Sequence, residues 1–194
     1  WPTWSPDGSQ LVVSRAPGPG RASAALMLMK PPSAVESALH TTRRGGFDHV
    51  ADGAPHYPLW SPDGHRLALV APNRQSTALL LTEASLDGGD ADVIAGGAPL
   101  HIAWSPDSKL LAVHHQRSLI IRDAAGELFD TGRPSVRYRV PSFSADGVSL
   151  AYVAEVDGVS RMVARELRTG DERSFGEVLV EAVFAWSPTD AEAL

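Results

Sequence analysis

Carboxylates recur at one fixed place in this sequence. Asp7, Asp63, Asp107 and Asp146 each stand two residues after a serine and three after a large aromatic ring. Carboxylates brought together can do general acid–base work. A carboxylate that returns once per repeat inside Ser-Pro-Asp-Gly instead bonds the backbone of its own turn. The seven histidines give little more. His114 and His115 are adjacent at the end of an apolar run, so on a strand they point to opposite faces and cannot jointly hold one metal ion. They read as surface or strand-end residues. No Gly-x-Ser-x-Gly elbow occurs; Gly158-Val159-Ser160-Arg161-Met162 lacks the second glycine. Gly18-Pro19-Gly20-Arg21-Ala22-Ser23 imitates a dinucleotide fingerprint, but serine holds the last glycine position and no helix pattern follows. Without cysteine there is no thiolate nucleophile, thiolate metal site or disulfide. No catalytic group, metal site or cofactor is expected, and these absences favour a non-enzyme.

The element that carries those carboxylates is the pentapeptide Trp-Ser-Pro-Asp-Gly. It is intact at Trp4–Gly8 and Trp60–Gly64. It degenerates to Trp104-Ser105-Pro106-Asp107-Ser108, Phe143-Ser144-Ala145-Asp146-Gly147 and Trp186-Ser187-Pro188-Thr189-Asp190. The aromatics are 56, 44, 39 and 43 residues apart. A period of about 40–45 residues with a tryptophan and a tight turn marks a propeller array. In each turn proline pre-sets φ, aspartate bonds the backbone and glycine takes the left-handed position, which suggests a three-residue hairpin loop. Ser108 in the glycine position implies a strained or reshaped third turn.

Seven residues after each of the first four aromatics comes a leucine opening an apolar run: Leu11–Val13, Leu67–Val70, Leu111–Val113 and Leu150–Val153. Runs apolar on both faces are buried on both faces, as when blades stack. Third strands read at Ala25–Met29, Ala78–Leu81, Leu119–Ile121 and Met162–Ala164. Weaker fourth strands read at Phe47–Val50, Asp92–Ala95, Ser135–Tyr138 and Glu177–Val180. The fold class is therefore all-β, with four-stranded antiparallel blades: four whole blades (1–56, 57–100, 101–139, 140–182) and the start of a fifth (183–194), part of a larger ring. Trp4, Trp60, Trp104, Phe143 and Trp186 should wedge between blades, with Pro6, Pro62, Pro106, Gly8, Gly64 and Gly147 shaping the turns. Trp186 is the one expected to escape, since its blade is unfinished. Lys30–Gly46 reads as an insertion, with a capping box at Ser33–Glu36 that would start a short helix.

Composition narrows the partners. The net charge is −6 and the seventeen basic residues are scattered, which argues against a nucleic-acid surface. No apolar run approaches the roughly 18 residues of a membrane span.

The repeated Trp-Ser-Pro-Asp-Gly followed by an aliphatic strand resembles the WD40-like repeat of the TolB-type β-propellers, over essentially the whole chain. The resemblance implies a bacterial binding module, in a periplasmic or extracellular setting before a cytoplasmic one. It also admits the amino-terminal propeller of a dipeptidyl-peptidase-like serine hydrolase, which gates a separate catalytic domain. Rings of this type have six or more blades.

In a propeller the links between blades gather at one end of the axis. Aligning on the motif aromatic places His56, Tyr57, His101, Tyr138, Arg139 and Glu181 around that channel mouth. Polar and aromatic groups at a concavity form a candidate binding site. The plainer alternative is ordinary linker residues on a solvated rim. Three functions follow: a noncatalytic scaffold for a protein or peptide partner, the gating propeller of a larger hydrolase, or a small-molecule or sugar-binding propeller. An Asp/Glu/His cluster aimed into the channel would favour the last. Blades left uncovered would also let the chain self-associate.

Overall fold

The computed structural model describes residues 2–15, 23–33, 36–43, 56–72, 79–85, 92–97, 100–115, 118–131, 140–178 and 185–187. The chain forms two compact units, Trp1–Leu100 and His101–Leu194. In the first, β1 (Thr3–Trp4), β2 (Leu11–Arg15), β3 (Ser23–Met29) and β4 (Glu36–Arg43) make one sheet, and β5 (His56–Trp60), β6 (Arg66–Pro72), β7 (Leu79–Ser85) and β8 (Asp92–Gly97) the next. In the second unit, β9 (Leu100–Trp104), β10 (Leu111–His115), β11 (Ser118–Asp123) and β12 (Gly126–Asp130) precede β13 (Ser142–Phe143), β14 (Ser149–Val156), β15 (Val159–Glu166) and β16 (Glu172–Glu177). Each sheet is a four-stranded meander in sequence order, as four blades require.

The motif sets the register. Trp4 pairs with Leu11, Trp60 with Leu67 and Phe143 with Leu150. Between the paired strands the turn is the same each time. The amide of the fourth motif residue after the aromatic donates to the serine carbonyl at 2.9 Å, as Gly8 does to Ser5 and Ser108 to Ser105. The serine amide donates to the carbonyl five residues on, as Ser61 does to Arg66 at 2.9 Å. Four residues, not three, therefore lie inside the loop. The fourth motif residue sits in the left-handed region, at φ 71° in Gly8 and 62° in Ser108. Ser108 keeps the turn geometry of its glycine counterparts; the third turn is strained without being reshaped.

Packing follows from the continuous apolar second strands. Leu67–Val70, Leu111–His114 and Leu150–Ala154 are buried residue after residue. β2 differs: Val12 is buried, while Leu11 and Val13 are half-buried. In the first unit Trp60, Leu67 and Leu69 of one blade pack on Val12, Leu26 and Leu28 of the blade before it. In the second, Phe143, Leu150, Tyr152 and Ala154 pack on Ala112, Leu119 and Ile121 in the same way. Trp60 and Phe143 thus each cover the blade N-terminal to them within their unit.

That rule corrects the expectation for the rings. Trp60, Trp104 and Phe143 are 6%, 8% and 9% exposed, but Trp4 is 52% exposed. Trp186, expected to escape, is half-buried and donates its indole N–H to the Ser142 carbonyl at 2.8 Å. Trp60 makes the equivalent, longer contact to the Thr3 carbonyl at 3.4 Å.

The expected outer strand Asp92–Ala95 is found as β8, while others differ from expectation. Where the capping box would have started a short helix, residues Glu36–Arg43 form β4 instead, and the Ser33 N–H closes a turn on the Lys30 carbonyl; residues 34 and 35 lie outside the described residues. Pairing there satisfies the outer edge of β3, and Leu39 lands against the first unit's apolar cluster; one helical turn would do neither. The expected fourth strands Phe47–Val50 and Ser135–Tyr138 lie outside the described residues, and β4 and β12 fill the fourth place. β16 starts at Glu172, ahead of the expected Glu177. Outer strands face solvent and are polar, so an apolar run does not mark them.

Candidate functional site

His56 opens β5 and pairs with Val70. The register slips between His56 and Leu59, which places Tyr57 and Pro58 in a bulge. Pro58 is buried there, at a point where its missing N–H costs no ladder bond. Bulges re-aim side chains at sheet rims. His101 is the second residue of β9, the corresponding inner strand of the third blade. Tyr138, Arg139 and Glu181 lie outside the described residues. His56 and Tyr57 belong to the first unit and His101 to the second.

His101 meets His114 of β10. Their rings stack with centroids 6.2 Å apart and planes 28° from parallel. His114 is 2% exposed, so it is a core residue, contrary to the surface reading. Stacked rings present faces to each other, an arrangement unlike that of two ligands on one metal. Among the described residues no group of three or more His, Asp or Glu is placed to hold a metal ion. The pairing was legible in principle. The register of Trp4 with Leu11, carried to Trp104 and Leu111, sets His101 directly across from His114.

The motif carboxylates are held inside their turns. Asp7, Asp63, Asp107 and Asp146 each accept the hydroxyl of the motif serine on Oδ1, at 2.5–2.7 Å. The same oxygen accepts the amide two residues on, at 3.0–3.1 Å. The serine Oγ in turn accepts the amide five residues on, at 2.8–2.9 Å. Ser5, Ser61, Ser105 and Ser144 are all buried. The Ser5 hydroxyl, followed by the Ser9 amide and hydroxyl, lowers the Asp7 pKa to about 2. Asp107 and Asp146 are lowered by the Ser105 and Ser144 hydroxyls and the Lys109 and Val148 amides. Partial burial works against Asp63, and the Ser61 hydroxyl and His65 amide outweigh it. Carboxylates held ionised this way are poor proton donors near neutral pH.

One surface cleft of about 360 Å³ lies at the motif end of the fourth blade, where Asp146, Glu166, Asp171 and Arg173 surround Val148 and Ser149. The near-elbow at Gly158 is a hairpin. Asp157 and Gly158, at φ 52° and 75°, form the two-residue turn between β14 and β15. The Gly18–Ser23 mimic of a dinucleotide fingerprint lies almost wholly outside the described residues.

No known family profile and no curated protein sequence matches the chain. Solved structures do. TolB from Acinetobacter baumannii is 17% identical and matches 89% of this chain with a TM-score of 0.54. The β-propeller domain of the Trilobed protease from Pyrococcus furiosus is 15% identical and matches 92% with a TM-score of 0.63. A prolyl endopeptidase is 17% identical and matches 94% with a TM-score of 0.61. The match spans 42%, 57% and 31% of those chains respectively. The chain has a TolB-like β-propeller fold.

Proposed function

We propose that this propeller segment is a noncatalytic scaffold that binds a protein or peptide partner. The observation that carries the reading is the repeated turn. It takes all four described motif carboxylates and their serines into the scaffold, so recognition falls to residues that differ from blade to blade. His56, Tyr57 and His101 on the inner strands, with Tyr138, Arg139 and Glu181, are the proposed recognition surface. Selection of a displayed random-peptide library against the chain tests this, with hits measured by calorimetry. The expected result is binding that weakens at least about tenfold, a loss of ~1.4 kcal/mol, in a Tyr57→Ala/Arg139→Ala variant. Binders unaffected by that variant and by Glu181→Ala, or no binders at all, would overturn it.

A second reading has its own support: the β-propeller domain of the Trilobed protease and a prolyl endopeptidase match 92% and 94% of this chain. On that reading the segment gates a catalytic domain encoded beside it. Sequencing the coding region on both sides decides it, with Gly-x-Ser-x-Gly as the mark of a hydrolase.

A further inference from the structure

We propose that the stacked His101–His114 pair is an acid-operated switch in the third blade: both rings are neutral while the blade is closed, and protonation below about pH 6.5 parts β9 from β10. His114 is 2% exposed and His101 is half-buried. His114 pairs with Leu119 of β11, and Ala112 pairs with Ile121. His114 therefore shares the face of Ala112, Leu119 and Ile121, which packs on Phe143, Leu150 and Tyr152 of the fourth blade. A proton on one ring puts a charge into that apolar packing. A proton on each puts two like charges face to face, with ring centroids 6.2 Å apart.

The charged groups around that face are engaged with one another. β9 and β13 bring no acidic or basic side chain besides His101. On β11, Arg122 pairs with Leu111 and so lies on the opposite face. Asp123, at the far end of β11, caps the next turn by accepting the Ala125 and Gly126 amides. On the fourth blade, Tyr152, Arg161 and Arg165 share the face of Val163 that meets the third blade. Arg165 is ion-paired with Glu172 at 2.9 Å, and the Tyr152 hydroxyl donates to the same carboxylate at 2.7 Å. Arg161 stands across from Glu177 in the register of β15 and β16. The imidazoles are thus the groups on this face that change charge near neutral pH. The motif carboxylates titrate lower, with Asp7 at about 2.

His101 is also one of the residues proposed for recognition, so the switch makes that surface sensitive to acid. The switch itself needs no partner, and it is tested on the chain alone. Hydrogen exchange is measured at about pH 7.5 and about pH 5.5 and corrected for the intrinsic pH dependence of the chemistry. The amides of β9 and β10 should open about tenfold more often at the lower pH, the factor by which protonating one ring favours an open state one pH unit below about 6.5. His114→Phe keeps a ring that cannot be protonated and should abolish the response; His114→Gln should do the same if the phenyl ring does not fit. NMR of the wild type gives a reading that needs no variant: at about pH 6 the His101 and His114 rings of the closed blade should show neutral-imidazole shifts. Equal opening at the two pH values overturns the proposal. So does a response kept in full by either His114 variant, or charged-ring shifts in a blade that stays closed.

Discussion

The motif serine is the residue on which each turn depends. Ser61 Oγ gives a hydrogen bond to Asp63 and takes one from the Arg66 amide, and it is fully buried. Ser61→Ala removes both and leaves the buried end of the turn short of a partner. The expected loss is about 1–3 kcal/mol, read as a lower urea midpoint. Gly64→Ala isolates the backbone cost. At φ 74° a side chain is strained, and the new methyl would touch Pro6 at an ordinary 3.6 Å. A loss of about 1 kcal/mol is expected. The carboxylates add a pH dependence. Their folded pKa values lie below the model-peptide 3.8, to about 2 for Asp7, so the folded state binds fewer protons than the unfolded chain. Their contribution is present in full above about pH 4 and is lost as pH falls through the folded values. The urea midpoint should fall over that window, and an Asp7→Asn/Asp146→Asn variant should fall less steeply.

At the scale of the strand, equivalent tryptophans have unequal weight. Trp60 is buried against the blade before it, and Trp60→Ala should cost about 3–5 kcal/mol. Trp4 occupies the same place in the motif and is half in solvent, so in dilute solution Trp4→Ala should cost under about 1 kcal/mol. Acrylamide quenching of the two variants checks the exposures independently: Trp4→Ala should remove a strongly quenched component and Trp60→Ala a protected one. The inner three strands of each blade were legible because the motif sets their register and their apolar runs mark burial. The outer strand at Asp92–Ala95 was legible and forms β8, whereas β12 and the start of β16 were missed because these strands carry Glu127, Asp130, Arg173 and Glu177 toward solvent, where composition resembles a loop. The stacked His101 and His114 were legible only through the register, which a search for metal-ligand spacing does not use.

At the scale of the whole molecule, the blades inside each unit are joined by contacts between residues far apart in sequence. In the second unit Arg165 lies over the Phe129 ring of the preceding blade at 4.9 Å and donates to Glu172 Oε1 at 2.9 Å, where the Tyr152 hydroxyl also donates at 2.7 Å. Tyr152 is buried, so Tyr152→Phe removes a bond to a charged acceptor and should cost about 1–3 kcal/mol in thermal or urea unfolding. For function, the scaffold reading predicts that the purified chain binds peptide without turning over peptide, ester or nucleotide substrates. Turnover that disappears on His56→Ala would contradict it.

The sequence alone determined the repeat, the blade count among these residues, the inner-strand register and the turn chemistry. These are set locally, by residue types within one motif length of each other, and every copy restates them. Tertiary packing decided which face of each blade is covered, and hence that identical motif tryptophans become core at Trp60 and surface at Trp4. Burial depends on what lies across the face, and a motif does not encode its neighbour. The same holds for His114, drawn into the core by the strand beside it, and for β4, which pairs as a strand because the open edge of β3 outweighs a local helix signal.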